Sequence, residues 1–377
     1  MGFLGLVDDI VGITEAGYPA QQLNTFLNLK TAEKGLQFGV DKCKSMLISK
    51  ENENGLNCDL MVDSWESYYE EDPTTGKLSL IERFVGQTKI EQTEEQLYLG
   101  FVISSSGNNM ANINHIKKKS IGVIKKIFNR LNSLNLQTYF FECAMIFLNA
   151  VLRPSILYAC EGYYNLKETE IRQIERIEEN YLRKVLKTQK GCPIVQLYLE
   201  MGHQPARLDI QKTRLLFLQY ILQQSEESSI HQFLKLQLEQ PARGDWGSTC
   251  LQDLRELGIE EGLEEIKNIS KIQFTKILKG KLKTKALSYL LEKQGSKGKE
   301  IRYSCLEMSE YLLPTNNQLS LEEKRRMFEI RNKMSNIPAN FQSSKNITKC
   351  LCDEPENMEH LYDCEFFDNR TEQKLPY

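Results

Sequence analysis

The 377-residue sequence has no apolar run of the 18 or so residues needed to cross a bilayer, so no spanning segment is expected. It lacks a dominant charge. Lys plus Arg number 48 and Asp plus Glu 51, a net of −3, whereas a chain that binds nucleic acid over its whole surface is usually basic. Histidine is scarce, at four residues, and no P-loop, GxGxxG or Ser-His-Asp arrangement is discernible. The opening residues, MGFLGLVDDIVG, lack the basic stretch of a secretory signal. The ten cysteines therefore read as reduced thiols in the cytoplasm or nucleus, not as a disulfide framework. With 41% apolar and 26% charged residues, a wholly disordered chain is excluded as well.

What is present is uneven. Residues 51–100 hold 12 acids and 3 bases, a net of −9, while residues 113–190 hold 14 bases and 7 acids, a net of +7. The step suggests separate partners, or simply an acidic loop beside a solvated helical face.

The pattern predicts an α+β chain. A hairpin comes first, with Gly2 to Leu6 and Ile10 to Thr14 as strands around Val7-Asp8-Asp9. Pro19 opens a helix with Leu23, Phe26 and Leu27 inward, and Gly35 closes it. Strands are expected near residues 45–49, 79–85 and 97–103, and residues 51–80 read as acidic and turn-rich. From Ile113 onward the chain is helical. Ile113, Ile116, Ile124, Ile127 and Leu131 mark one apolar face, opposite Lys117, Lys118, Lys119, Lys125, Lys126 and Arg130. Helices follow to a close or kink at Arg153-Pro154, over residues 168–187, between Pro193 and Gly202, and after Pro205, with breaks at residues 241–247 and 295–298. His115, His203 and His231 are isolated and read as structural.

Two adjacent carboxylates in a hairpin turn, Asp8 and Asp9, can hold Mg²⁺ beside a triphosphate, although Asp also favours turns for local reasons. At the other end, Cys350, Cys352, His360 and Cys364 place three thiols and an imidazole within fifteen residues. That donor set can close a tetrahedron around a structural Zn²⁺; reduced, buried cysteines are the plainer alternative.

In order along the chain, these motifs resemble reverse transcriptases of non-long-terminal-repeat retrotransposons. Leu6-Val7-Asp8-Asp9 resembles the metal hairpin, and Gly39-Val40-Asp41-Lys42-Cys43-Lys44-Ser45 the lysine motif that follows it. Tyr98-Leu99-Gly100 resembles the primer-grip hairpin. Residues 140–162 (FFECAMIFLNAVLRPSILYACEG) and 197–222 (LYLEMGHQPARLDIQKTRLLFLQYIL) resemble the thumb and downstream helices. The last motif is similar to the knuckle of elements that carry a restriction-like endonuclease.

The resemblance implies catalytic roles for Asp8, Asp9 and Lys42, with Mg²⁺ only in a complete polymerase. It implies a primer grip at Tyr98, Leu99 and Gly100, and RNA and DNA as partners of the six cations over residues 117–130. It divides the chain into a partial palm (1–108), thumb-like helices (109–190), a helical linker region (191–345) and a knuckle with tail (346–377). The family's fingers, a further metal-binding Asp and the endonuclease have no counterpart here, so a C-terminal part that is inactive alone is expected. The alternatives are one piece of an active polymerase and a helical scaffold with no nucleic-acid role.

Overall fold

The computed structural model describes residues 2–6, 9–13, 17–33, 43–46, 60–71, 77–188, 192–242, 244–295, 303, 305–316 and 319–332. The chain forms two compact units, Met1–Asn112 and Ile113–Tyr377. The boundary lies four residues beyond the expected one, inside a helix. The described part is mostly helical, with small sheets.

The first unit begins with the expected hairpin. Strand β1, Gly2–Leu6, runs antiparallel to β2, Asp9–Ile13, with Leu6 opposite Asp9. Helix α1, Gly17–Ala32, follows. Its Leu23 is buried, but Phe26 and Leu29 are largely exposed, contrary to the inward placement expected of Phe26. Helical spacing shows that residues share a face, but not that something covers it. On α1, Gln21 and Asn24 do the joining: Gln21 Nε2 and Asn24 Nδ2 donate to the Met61 carbonyl at 3.1 and 2.7 Å, and Gln21 Oε1 accepts from Met61 N at 3.0 Å.

The short strand β3, Lys44–Ser45, pairs in parallel with β6, Glu91–Gln92, a departure from an all-antiparallel palm remnant. Within the acidic stretch expected to be turn-rich, the described residues from Met61 to Glu71 form a long strand instead. Strand β4, Met61–Glu71, pairs antiparallel with β5, Leu78–Lys89. Trp65, Tyr68 and Tyr69 supply β propensity that the acidic count conceals. The register shifts after Ser64, leaving Val85 as an extra residue, a β-bulge.

In place of one strand over 97–103 there are two, β7 (Glu95–Tyr98) and β8 (Phe101–Ser104). Leu99 and Gly100 link them with φ of 48° and 84°, a two-residue turn with both φ positive, which suits the twist of a hairpin. Asn112 Oδ1 accepts from Val102 N at 3.0 Å, tying β8 to the first turn of the next helix, α2 (Met110–Ser133).

The second unit is built on one apolar core that extends from Ile116 to Phe328, so the helices expected as thumb and linker share it. Helix α3, Phe140–Phe147, widens into a π-helical turn at Leu148–Leu152 before α4, Arg153–Ile156. Pro154 has no N–H to offer the preceding turn, and the Arg153 N–H reaches back to the Leu148 carbonyl. Helix α5 spans Glu168–Leu186, α6 Ile194–Glu200 and α7 Ala206–Leu222, all close to the expected positions. Then come α8 (Ser229–Glu239), α9 (Trp246–Glu256), α10 (Leu263–Asn268), α11 (Lys271–Gly295) and α12 (Leu321–Arg331). Ser228 and Asp245 cap α8 and α9 by accepting from His231 N and Ser248 N.

Helix α5 buries more than its apolar stripe. Ile174, Ile177 and Tyr181 are inward as expected, and Ile171 is half-buried. Glu170, Glu175, Glu178 and Glu179 are buried too, and arginines from α4, from α7 and from α5 itself meet three of them. Arg153 Nε donates to Glu178 Oε1 at 2.8 Å, and its Nη1 lies 2.7 Å from Asp209 Oδ2. Arg207 clamps Glu175 through two hydrogen bonds of 2.6 and 2.9 Å. Arg172 bonds Glu179. His203 stacks on Tyr198 with ring centroids 6.0 Å apart. Its Nε2 is 3.7 Å from Glu178 Oε1, an electrostatic neighbour and not a hydrogen-bond partner. Burial pushes the Glu178 carboxyl up, but Arg153 and His203 outweigh it and hold it at about 2. Burial and Arg153 push the His203 imidazole below its ordinary range, with Glu178 pulling the other way.

The chain end of this core is held by Glu200, which is fully buried. It accepts from Tyr303 Oη at 2.7 Å, Arg331 Nε at 3.1 Å and Ser309 Oγ. Next to it Gly202 has φ of 60°, and an added Cβ would fall 2.2 Å from Met308 N. Only glycine fits there.

Candidate nucleic-acid interface

Helix α2 separates an apolar stripe from a cationic face. Its sequence, MANINHIKKKSIGVIKKIFNRLNS, contains six Lys and Arg residues and no acid. Asn108 Oδ1 accepts from Met110 N at 3.0 Å where the helix starts. Ile113, Ile116, Ile124, Ile127 and Leu131 are all buried. The Phe128 ring lies 5.4 Å from Tyr181 of α5, whose hydroxyl donates to the Ala144 carbonyl at 2.6 Å. Packing of this stripe fixes the rotation of the helix and aims the opposite side outward.

Lys117, Lys118, Lys119, Lys125, Lys126 and Arg130 are all exposed. They extend over 14 residues, about 20 Å of helix axis. Lys117 Nζ approaches Gln173 Oε1 at 3.4 Å, and none of the six forms an ion pair among the described residues. Other exposed lysines do find carboxylates: Lys187 meets Glu322 at 2.7 Å and Lys283 meets Glu307 at 3.1 Å. Gly122 sits in the middle of the cationic face, and an added Cβ there would meet nothing within 4 Å. Glycine is costly inside a helix, by about 0.5–1 kcal/mol relative to alanine, and no packing demands it here. Its bare backbone allows a close approach to the helix. The charge pattern was legible in the sequence; the role of Gly122 needed the rotation of the helix.

Asp9 starts β2, whereas Asp8 and Lys42 lie outside the described residues. Tyr98, Leu99 and Gly100 form the tip of the β7–β8 hairpin, with Leu99 exposed. Cys350, Cys352, His360 and Cys364 also lie outside the described residues. Among the described residues, no three or more His, Cys, Asp or Glu side chains are placed to hold a metal ion. No described helix is long and apolar enough to cross a membrane.

Sequence reasoning missed a second cationic helix. Helix α11 holds seven lysines and one acid over 25 residues, with Gly280 at its middle. Its net charge was hidden by the acids just before it, Glu260 and Glu261 in the preceding loop and Glu264 and Glu265 on α10. Comparison with family models, curated proteins and solved structures gives no match.

Proposed function

We propose that this chain binds nucleic acid through the cationic face of α2, in the manner of a reverse-transcriptase thumb region. One observation carries the reading: six exposed cations lie on a helix that has no acid, and none is neutralised by an ion pair within the described fold. Phosphate backbones supply the missing counter-charge, and binding releases their condensed counterions. The hairpin tip at Tyr98, Leu99 and Gly100 offers a turn of the kind expected for a primer grip. Asp8, Asp9 and Lys42 belong to the same reading as the residues that would bind Mg²⁺ and meet a nucleotide. The Cys350, Cys352, His360 and Cys364 donor set fits one structural Zn²⁺, with all four positions filled by protein.

The test is the salt dependence of binding to a labelled RNA–DNA duplex between 50 and 200 mM salt. Six phosphate contacts would give a slope of log K against log salt near −5 for the intact face. The triple substitution Lys117→Glu, Lys118→Glu, Lys119→Glu should weaken binding steeply and flatten that slope by roughly 3, one per lost contact. Binding that is absent at low salt, or unchanged in the variant, overturns the proposal and leaves a helical scaffold.

A further inference from the structure

A groove of about 1260 Å³ runs between α11 and the end of α9 with the loop after it. Arg255, Lys276, Lys281 and Lys285 bring four cations to it, against two carboxylates, Glu256 and Glu261. Glu256 is already occupied. It accepts from Lys285 Nζ at 2.8 Å, from Gln211 Nε2 at 2.9 Å and from Gln252 Nε2 at 2.9 Å. Arg255 and Lys276 have no ion-pair partner among the described residues. Lys281 donates to the Gly258 carbonyl at 2.8 Å, which leaves its charge uncompensated.

Along α11 the groove is lined by Gln273, Ile277, Gly280, Thr284 and Ser288, and Leu257 and Ile269 add further apolar surface, so its floor is mixed and mainly apolar. Gly280 lies at the centre of a 25-residue helix, where glycine is the least favourable residue after proline. An added Cβ would meet nothing within 4 Å, so neighbouring packing does not select it. Gly122 of α2 shows the same combination of mid-helix position, open space and surrounding lysines. From Gln273 to Ser288 the lining of α11 runs about 22 Å along the helix, and one row of lysines along one helix suits the single backbone of one extended strand.

We propose that this groove holds the phosphate backbone of a single nucleic-acid strand, as a contact separate from the α2 face. The proposal rests on the nucleic-acid reading of α2. Lys276, Lys281 and Arg255 meet phosphates, and the bare backbone at Gly280 lets the strand lie against the helix.

The experiment measures anisotropy of a labelled oligouridylate and of an RNA–DNA duplex with the full chain and three variants. Gly280→Leu substitutes a strong helix former, so thermal stability should hold or rise. Oligouridylate binding should fall about tenfold or more while duplex binding is kept. Lys276→Glu with Lys281→Glu should repeat the loss without touching the groove floor. The Lys117→Glu, Lys118→Glu, Lys119→Glu variant should instead lose duplex binding and keep oligouridylate. If groove variants leave oligouridylate binding unchanged while the α2 variant loses both ligands, there is one site and the groove proposal falls. If the α2 variant has no effect, the reading of α2 fails separately. If groove variants change only self-association by light scattering, the groove takes a second copy of the chain and the proposal is overturned.

Discussion

Helices α2 and α5 are both densely charged, yet they use charge in opposite ways. Helix α5 turns four glutamates inward, and three of them meet arginines drawn from its own length, from α4 and from α7. Helix α2 turns all six cations outward, and among the described residues none of them meets an acid. Desolvated carboxylates survive only where a partner is fixed nearby, so the α5 network defines how the helices sit. Solvated cations do little for stability, so the α2 face is open to an external partner. The difference separates charge that holds the fold from charge available for function.

The largest expected effect breaks the first half of that contrast. Arg153→Met leaves Glu178 and Asp209 buried without their cation and should cost about 3–5 kcal/mol, measured by urea unfolding. A loss under about 1 kcal/mol would mean the network is not structural. Acid should act in the same direction. His203 has a folded pKa below its ordinary 6.5, so the unfolded chain takes up the proton first as pH drops below that value. Stability should therefore fall from pH 7 to pH 5, and fall less in His203→Gln. Glu178 adds a loss of the same sign further down, between 4.5 and about 2.

Smaller effects sharpen the second half. Reversing Lys117, Lys118 and Lys119 to Glu should shift stability by no more than about 0.5 kcal/mol while removing duplex binding. A large stability loss would place these lysines among the structural charges. Gly122→Ala should raise stability by about 0.5–1 kcal/mol, seen as a higher melting temperature, because nothing blocks the new methyl. No gain would show that Gly122 serves the fold.

Much of the helical architecture was legible before the coordinates. Pro193, Pro205 and the breaks near residues 241 and 295 mark helix ends in sequence as in structure, because proline and glycine act locally. The inward face of α2 was legible for the same reason: its period is a property of the segment alone. Three features were not. Phe26 follows the helical stripe of α1 and is half exposed, since burial depends on what covers the stripe. Strand β4 was masked by its acids, which sit among Trp65, Tyr68 and Tyr69. Glu178 looks like a surface residue until Arg153, 25 positions earlier, is brought beside it. Of the candidate site, the cations could be read directly. The Gly280 groove could not, because one wall comes from α9 and the loop after it, the other from α11.

Glu200 carries a consequence for how the second unit comes apart. Its carboxylate gathers Tyr303, Ser309 and Arg331, and its own carbonyl accepts from Ser309 N at 2.9 Å. Peeling away the segment from 303 to 332 would strip every one of those donors from a charge with no access to water. That segment should therefore not fray as a chain end does. Its amide hydrogens, Ser309 foremost, should exchange with solvent on the timescale of α6, as members of the same cooperative unit.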